Sequence, residues 1–142
     1  LLQVQLTEGG NPSERLVGLG AVCPNCGKAG IVVSKPSSVY LNPPYAQPLV
    51  SHFCKAVTEK FASGEITEAC VLVNNATETA WFQGMFHIAR MVCFPKSRIR
   101  FIDKNGKPSG APLQGQAILY FGRNGQRFKH EFASFGKVVS CD

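Results

Sequence analysis

The order of apolar patterns between residues 39 and 95 constrains the fold more than any other feature of the sequence. "VYL" reads as the end of a strand. "QPLVSHFCKAVTEKFASG" (47–64) follows, with Leu49, Val50, Phe53, Val57 and Phe61 at helical spacing, Pro48 near its start and Gly64 past its end. In "ITEACVLVNNA" (66–76), the continuous apolar run Ala69–Val73 predicts a short buried strand. "NATETAWFQGMFHIA" then predicts a helix, with Thr77 as N-cap, Glu78 in the first turn, and Trp81, Phe82, Met85 and Phe86 turned to the core. "RMVCFP" is a further strand closed by Pro95. Alternating strands and helices of this kind ask for a parallel sheet with helices packed on it.

The remainder has a different texture. "RIRFIDKNGKPSGAP" reads as a strand, a turn at Asn105-Gly106 and a Gly/Pro-rich loop. "GQAILYFG" is a strand between glycines, and "GQRFKHEFASFG" sets Phe128, Phe132 and Phe135 on one side of a short helix. "KVVS" completes the pattern as an edge strand. Residues 1–38 show no sustained period, so the expected organisation is a poorly defined N-terminal segment, 1–38, followed by a folded unit, 39–142.

The formal net charge of +6 is unevenly spread. Residues 1–95 carry six Lys/Arg and six Glu, whereas residues 96–142 carry nine Lys/Arg against Asp103, Glu131 and Asp142. The excess therefore lies in the last third, which favours a polyanionic partner over a neutral one. Arg98 and Arg100 alternate with Ile99 and Phe101, so on a strand they would share one face, and Lys96, Lys104, Lys107, Arg123, Arg127 and Lys129 would extend a basic surface if folding gathers them. No apolar run is long enough to span a bilayer and no secretion signal opens the chain. The six cysteines are accordingly read as reduced thiols of a cytoplasmic protein. Cys23 and Cys26 in "CPNCGKAG" form half of a zinc-ribbon pattern. A tetrahedral site needs four ligands, so a plain turn is the stronger expectation and no metal is assigned. His52, His87 and His130 share no ligand spacing. The chain begins without Met and is expected to be a fragment or a trimmed form.

"NPPY" (42–45), directly after the first strand, is the densest chemical signal. Ligands of open parallel sheets bind at the carboxyl ends of the strands. This corner offers the Asn42 amide oxygen, the Pro43 carbonyl and the Tyr45 ring, while the prolines bring no N–H. Two acceptors holding both N–H bonds of a flat conjugated amine would free its lone pair. They would also stabilise the positive charge that grows on nitrogen as it attacks a methyl sulfonium. Tyr45 would stack on the ring, and an amine inside a duplex would have to be flipped out to reach it. A tight turn without function is the competing reading of the same four residues.

From Tyr40 to about Val139 the sequence resembles the C-terminal part of the phage-type DNA N-6-adenine methyltransferases, the Dam family. The likeness runs in order through "VYLNPPYAQPL", "EACVLVNNATETAWFQ", "CFPKSRIRFIDKNGKPSGAPLQGQAILYFG" and "RFKHEFASFGKVV". It implies S-adenosylmethionine as methyl donor and double-stranded DNA as substrate, with adenine N6 as acceptor. The implied fold is α/β: a partial Rossmann-like methyltransferase with a mixed, mostly parallel sheet and flanking helices. Asn42, Pro43, Pro44 and Tyr45 become the target-amine site, Asn42 and Pro43 also facing the cofactor. Asn74, Asn75 and Thr77 become cleft-lining candidates, and Arg98, Arg100, Lys96, Lys104 and Lys107 DNA contacts. The resemblance also carries a setting, the host cytoplasm and restriction-modification, with no obligate protein partner and no membrane. Family members place an Asp-Pro-Ala-Ser motif and an Asp-Asp-Gly-Leu segment upstream of the corner. Residues 1–38 contain neither, and the Gly-x-Gly of "LVGLGAV" is a weak substitute, so the cofactor half is expected to be incomplete. The alternatives are a non-catalytic nucleic-acid-binding remnant, or a methyltransferase for cytosine N4 or a protein glutamine.

Overall fold

The computed structural model describes residues 4–6, 37–110 and 113–142. The elements are β1 (Val4–Leu6), β2 (Ser37–Leu41), α1 (Leu49–Ala62), β3 (Ile66–Asn74), α2 (Ala80–Ile88), β4 (Met91–Pro95), β5 (Gln116–Phe121), α3 (Gly125–Phe132) and β6 (Gly136–Ser140). Cys23, Cys26 and the Gly-x-Gly at 18–20 lie outside the described residues.

The strands form one six-stranded sheet in the order β1-β2-β3-β5-β4-β6. β2, α1 and β3 make the expected crossover unit, β2 and β3 pairing in parallel. β4 runs in the same direction as β3, as the alternation of elements requires, but the two do not touch. β5 lies between them, antiparallel to both. β6 pairs antiparallel with β4 at one edge and β1 antiparallel with β2 at the other. The sheet is therefore mixed, but "mostly parallel" needs correction: β2–β3 is the one parallel pairing among the described strands. A strand that arrives late in the chain and inserts between earlier neighbours leaves no trace in the local pattern.

Each face of the sheet has its own apolar layer. α1 and α2 cover one face, where Val50, Cys54 and Val57 of α1 and Phe82 and Met85 of α2 meet Val39, Leu41, Ala69, Val71, Val73, Leu119 and Phe121. On the other face, Phe128 of α3 meets Leu72, Met91, Cys93, Ile118, Tyr120 and Val138, with Ile99, Phe101 and Phe132 packed alongside. β5 has paired strands on both sides and side chains covered on both faces, so all six of its residues are buried. Strand alternation thus assigns successive residues to different layers.

The helix ends follow simple stereochemistry. α1 ends with Gly64 at φ +81, a conformation in which a Cβ is strained; its N–H donates to the Phe61 carbonyl at 3.1 Å. α2 starts later than the sequence suggests. Thr77 is not its cap, because the chain first turns twice, the Thr77 and Thr79 N–H groups donating to the carbonyls of Asn75 and Ala76. Thr79, in extended conformation, is the N-cap, and its Oγ1 accepts from the Phe82 N–H at 3.3 Å. Phe82 and Met85 are buried as expected, with Trp81 and Phe86 half-buried. α3 ends at Phe132, so Phe135 lies beyond the helix and is 59% exposed. The stretch 98–101 is irregular chain rather than strand, with an isolated bridge between Ile102 and Pro108 just after it. The turn at Asn105-Gly106 forms as expected.

A polar cluster sits at the opposite end of β3 from the NPPY corner. The Tyr120 hydroxyl donates to Glu68 Oε1 at 2.5 Å and accepts from the Asn124 N–H at 3.0 Å. Burial first, and the Glu68 contact second, push the Tyr120 phenol up, so it stays a neutral donor. The cluster joins β3, β5 and the start of α3.

Two outcomes are expected for stability. A Cβ on Gly136 would overlap the Phe94 carbonyl of the paired strand. Gly136→Ala should therefore pry β6 from β4 and lower unfolding free energy by about 2 kcal/mol or more in a urea titration. Cys54 is 1% exposed, and burial pushes its thiol from 9.0 up to about 12. Above pH 9 the unfolded chain releases this proton first. The stability tied to the thiol is thus complete below pH 9 and declines as pH rises toward 12, by roughly 1.4 kcal/mol per pH unit. Urea midpoints at pH 8 and pH 10 should show the decline, and Cys54→Ala should remove that share of it.

Candidate active site

The register of the sheet gathers several predicted residues at one edge. Leu41 pairs with Val71, so β2 ends beside the last residues of β3. Asn74 pairs with Gln116, and Cys93 with Ile118, so β5 begins and β4 ends at that same edge. Asn42–Tyr45, Asn74, Asn75 and the basic segment that leaves β4 at Lys96 therefore emerge together. This is the carboxyl end of β2, β3 and β4, where open α/β sheets place their ligands.

Asn42–Tyr45 is extended chain with no helix or strand of its own. Pro43 is buried, while Asn42, Pro44 and Tyr45 are half-buried. The Tyr45 hydroxyl donates to Asn42 Oδ1 at 2.8 Å and reaches toward the Leu72 carbonyl at 3.5 Å. The corner is thereby fastened to β3, and the Asn42 amide is oriented with its oxygen toward the phenol. Asn42 Oδ1 has a second lone pair beyond the one that Tyr45 uses. Among the described residues no hydrogen bond reaches the Pro43 carbonyl, and neither acceptor oxygen is taken by a backbone amide. Burial, with Tyr40 second, pushes the Tyr45 phenol well above its ordinary range. It is a donor at any physiological pH.

Tyr45 meets Phe101 edge to face, with ring centroids 6.4 Å apart. This contact was not legible in the sequence, and it ties the basic segment to the corner. Ile99 and Phe101 turn inward against the second apolar layer. Arg98, Arg100, Lys96, Lys104 and Lys107 are all exposed. The expected inside-outside alternation of 98–101 is therefore present, although the segment is a loop held by its apolar side chains rather than a strand.

The polar turn after β3 divides. Asn74 Oδ1 accepts from Gln116 Nε2 at 3.3 Å, whereas Gln116 Oε1 is buried with no hydrogen-bond partner. Asn75 and Thr77 are exposed. The Asn75 N–H donates to the Gly115 carbonyl at 3.0 Å, and the Thr77 carbonyl accepts from Gln83 Nε2 at 2.6 Å, which holds it toward α2. Among the described residues neither side chain bonds to Asn42 or Tyr45. Sequence reasoning passed over Gln116. The glycine before it was the available signal: a Cβ at Gly115 would press on the Asn75 side chain at 2.9 Å.

His52, His87 and His130 are exposed on helices. Cys54, Cys70, Cys93 and Cys141 are free thiols. Among the described residues no group of His, Cys, Asp or Glu could hold a metal ion, and no helix is long and apolar enough to cross a membrane. A cleft of ≈ 480 Å³ lined by Phe61, Gly64, Ile66, Thr67, Glu68, Arg123 and Asn124 opens at the far end of β3, away from Asn42.

The corner thus combines the Asn42 Oδ1 and Pro43 carbonyl acceptors with two prolines that bring no N–H and a Tyr45 hydroxyl committed to Asn42. Comparison with curated proteins and with solved structures gives no match. The sequence profile described as DNA N-6-adenine-methyltransferase (Dam) matches residues 32–141, a span that holds the corner, the polar turn and the basic segment. The chain belongs to the DNA N-6-adenine-methyltransferase (Dam) family.

Proposed function

We propose that the folded unit carries the catalytic corner of a site-specific DNA adenine-N6 methyltransferase, on a Rossmann-like framework, with Asn42, Pro43, Pro44 and Tyr45 holding a flipped adenine. The observation that carries the proposal is the Tyr45 hydroxyl bond to Asn42 Oδ1 at a strand-end corner whose Pro43 carbonyl accepts no hydrogen bond among the described residues. The adenine amine donates one N–H to the free lone pair of Asn42 Oδ1 and the other to the Pro43 carbonyl. Both bonds strengthen as the nitrogen becomes tetrahedral and positive, so they favour the transition state over the ground state. Proline fixes the backbone before the base arrives, which limits reorganisation. Tyr45 presents its ring to the base while its hydroxyl holds Asn42.

S-adenosylmethionine supplies, when bound, an electrophilic methyl group. Asn42 and Pro43 are the residues at the described edge that would face it. Asn74 and Asn75 border the same edge, and Thr77 lies farther along the turn toward α2. Lys96, Arg98, Arg100, Lys104 and Lys107 grip the phosphates flanking the target, supplying affinity without sequence information. A phage-encoded enzyme of this type would work in the host cytoplasm, in restriction-modification or in protection of its own DNA.

The test is transfer itself. The protein is incubated with S-adenosylmethionine and unmethylated plasmid, the DNA is digested, and the nucleosides are weighed. N6-methyladenine is expected, and its positions give the target sequence. N4-methylcytosine would move the reading to another amine. DNA binding with no cofactor affinity in calorimetry would favour a nucleic-acid-binding remnant, which the exposed basic segment would suit equally well.

Asn42→Ala should lower the transfer rate by roughly 10²–10³-fold while leaving DNA affinity intact. An unchanged rate would remove Asn42 from the site. Arg100→Ala should weaken DNA binding similarly for all sequences and reduce the slope of log affinity against log salt by about 1. An unchanged slope would place Arg100 off the DNA.

A further inference from the structure

We infer that Ile102 is the wedge that enters the base stack where the target adenine leaves it. The inference rests on the proposed adenine-flipping reading and adds a positioning residue outside the Asn-Pro-Pro-Tyr corner. A flipped nucleotide leaves a gap in the duplex, and proteins that distort DNA commonly fill such a gap with Phe, Leu, Ile, Met or Pro.

Ile102 stands on a short hairpin with an unusual density of internal bonds. The Ser109 N–H and hydroxyl both donate to the Phe101 carbonyl, at 2.7 and 2.9 Å. The Asp103 N–H donates to the Lys107 carbonyl at 2.8 Å. Asp103 Oδ1 in turn accepts from the N–H groups of Asn105 and Lys107, at 2.8 and 2.9 Å. The Gly106 N–H closes the turn on the Asp103 carbonyl at 3.0 Å. These bonds and the Ile102–Pro108 bridge hold the shape of the hairpin.

Its root is Phe101, which packs into the second apolar layer and against the Tyr45 ring. Successive residues of extended chain point to opposite sides. With Phe101 turned inward, Ile102 turns outward and is 63% exposed. Arg100, Lys104 and Lys107, all exposed, flank it on the same segment. Ile102 therefore stands exposed among the cations proposed to bind phosphate. A β-branched side chain also loses little rotamer freedom on insertion. Other apolar side chains exposed near this edge include Leu113 and Phe135. Phe135 follows α3 and leans on Phe132, with centroids 5.8 Å apart, and neither residue adjoins Tyr45 through a contacting neighbour as Ile102 does.

The test uses two duplexes bearing the mapped target sequence. In one the target adenine is paired with thymine. In the other it faces an abasic position, so that extrusion costs much less. Ile102→Ala should methylate the paired duplex at least roughly tenfold more slowly than the unsubstituted protein and come within about threefold of it on the abasic duplex. Ile102→Leu should retain most of the rate on both, and Phe135→Ala should match the unsubstituted protein. An equal loss on both duplexes would make Ile102 a structural residue and overturn the inference, as would no loss on the paired duplex. Inactivity of the unsubstituted protein on both duplexes would instead overturn the methyltransferase reading and the wedge with it. Because Ile102 is exposed, thermal melting of the variants should be unchanged, which separates a lost wedge from a lost fold.

Discussion

The parallel pairing of β2 with β3 is the constraint on which the rest of the molecule depends. It is made possible by α1, which carries the chain back along the sheet so that two consecutive strands run the same way. Both strands then deliver their carboxyl ends to one edge, with Asn42 following one and Asn74 ending the other. Had the strands paired as a hairpin, these groups would lie at opposite ends of the sheet. The Tyr45 hydroxyl completes the arrangement by holding Asn42 and reaching toward the Leu72 carbonyl of the neighbouring strand. A loop residue is thus positioned by the sheet rather than by its own short segment.

The second layer of the molecule serves the same edge. α1 and α2 occupy one face, and α3 with the 99–101 segment occupies the other. The basic residues are held in place because Ile99 and Phe101 bury apolar surface between them. Two side chains inserted into a core orient neighbouring arginines at much lower entropic cost than a free loop would pay. The site and the charge are therefore linked through ordinary packing, with the Tyr45–Phe101 contact as the junction.

What could be read from the sequence follows from how local each signal is. α1 was legible because Pro48, Gly64 and five apolar positions at helical spacing all fall within one stretch. β3 was legible from Ala69–Val73, and the Asn42–Tyr45 corner from its unusual composition. Thr77 misled because Thr79, two residues on, has an equally suitable capping side chain, and the backbone bonds place the helix start there. The 98–101 stretch has the alternation of a strand yet is irregular chain; periodicity reports which side is buried, not what buries it. The insertion of β5 was not legible at all. "QAILYF" announces a buried strand but carries no information about its neighbours. The same holds for the contacts of Gln116 and Phe101, which depend on chain segments tens of residues away.

The place of β5 in the sheet has a consequence for how the chain can acquire its structure. β3 and β4 are both synthesised before β5, yet they are joined only through it. Until residues 116–121 are available, β3 has an unpaired edge beside the Asn-Pro-Pro-Tyr corner, and β4 waits for both of its partners, β5 and β6, which follow it in the chain. Closure of the centre is a long-range event, slow relative to helix formation and exposed to mispairing while it waits. Completion of the sheet therefore depends on the C-terminal third, and a chain stopped before that point would expose the open edge of β3.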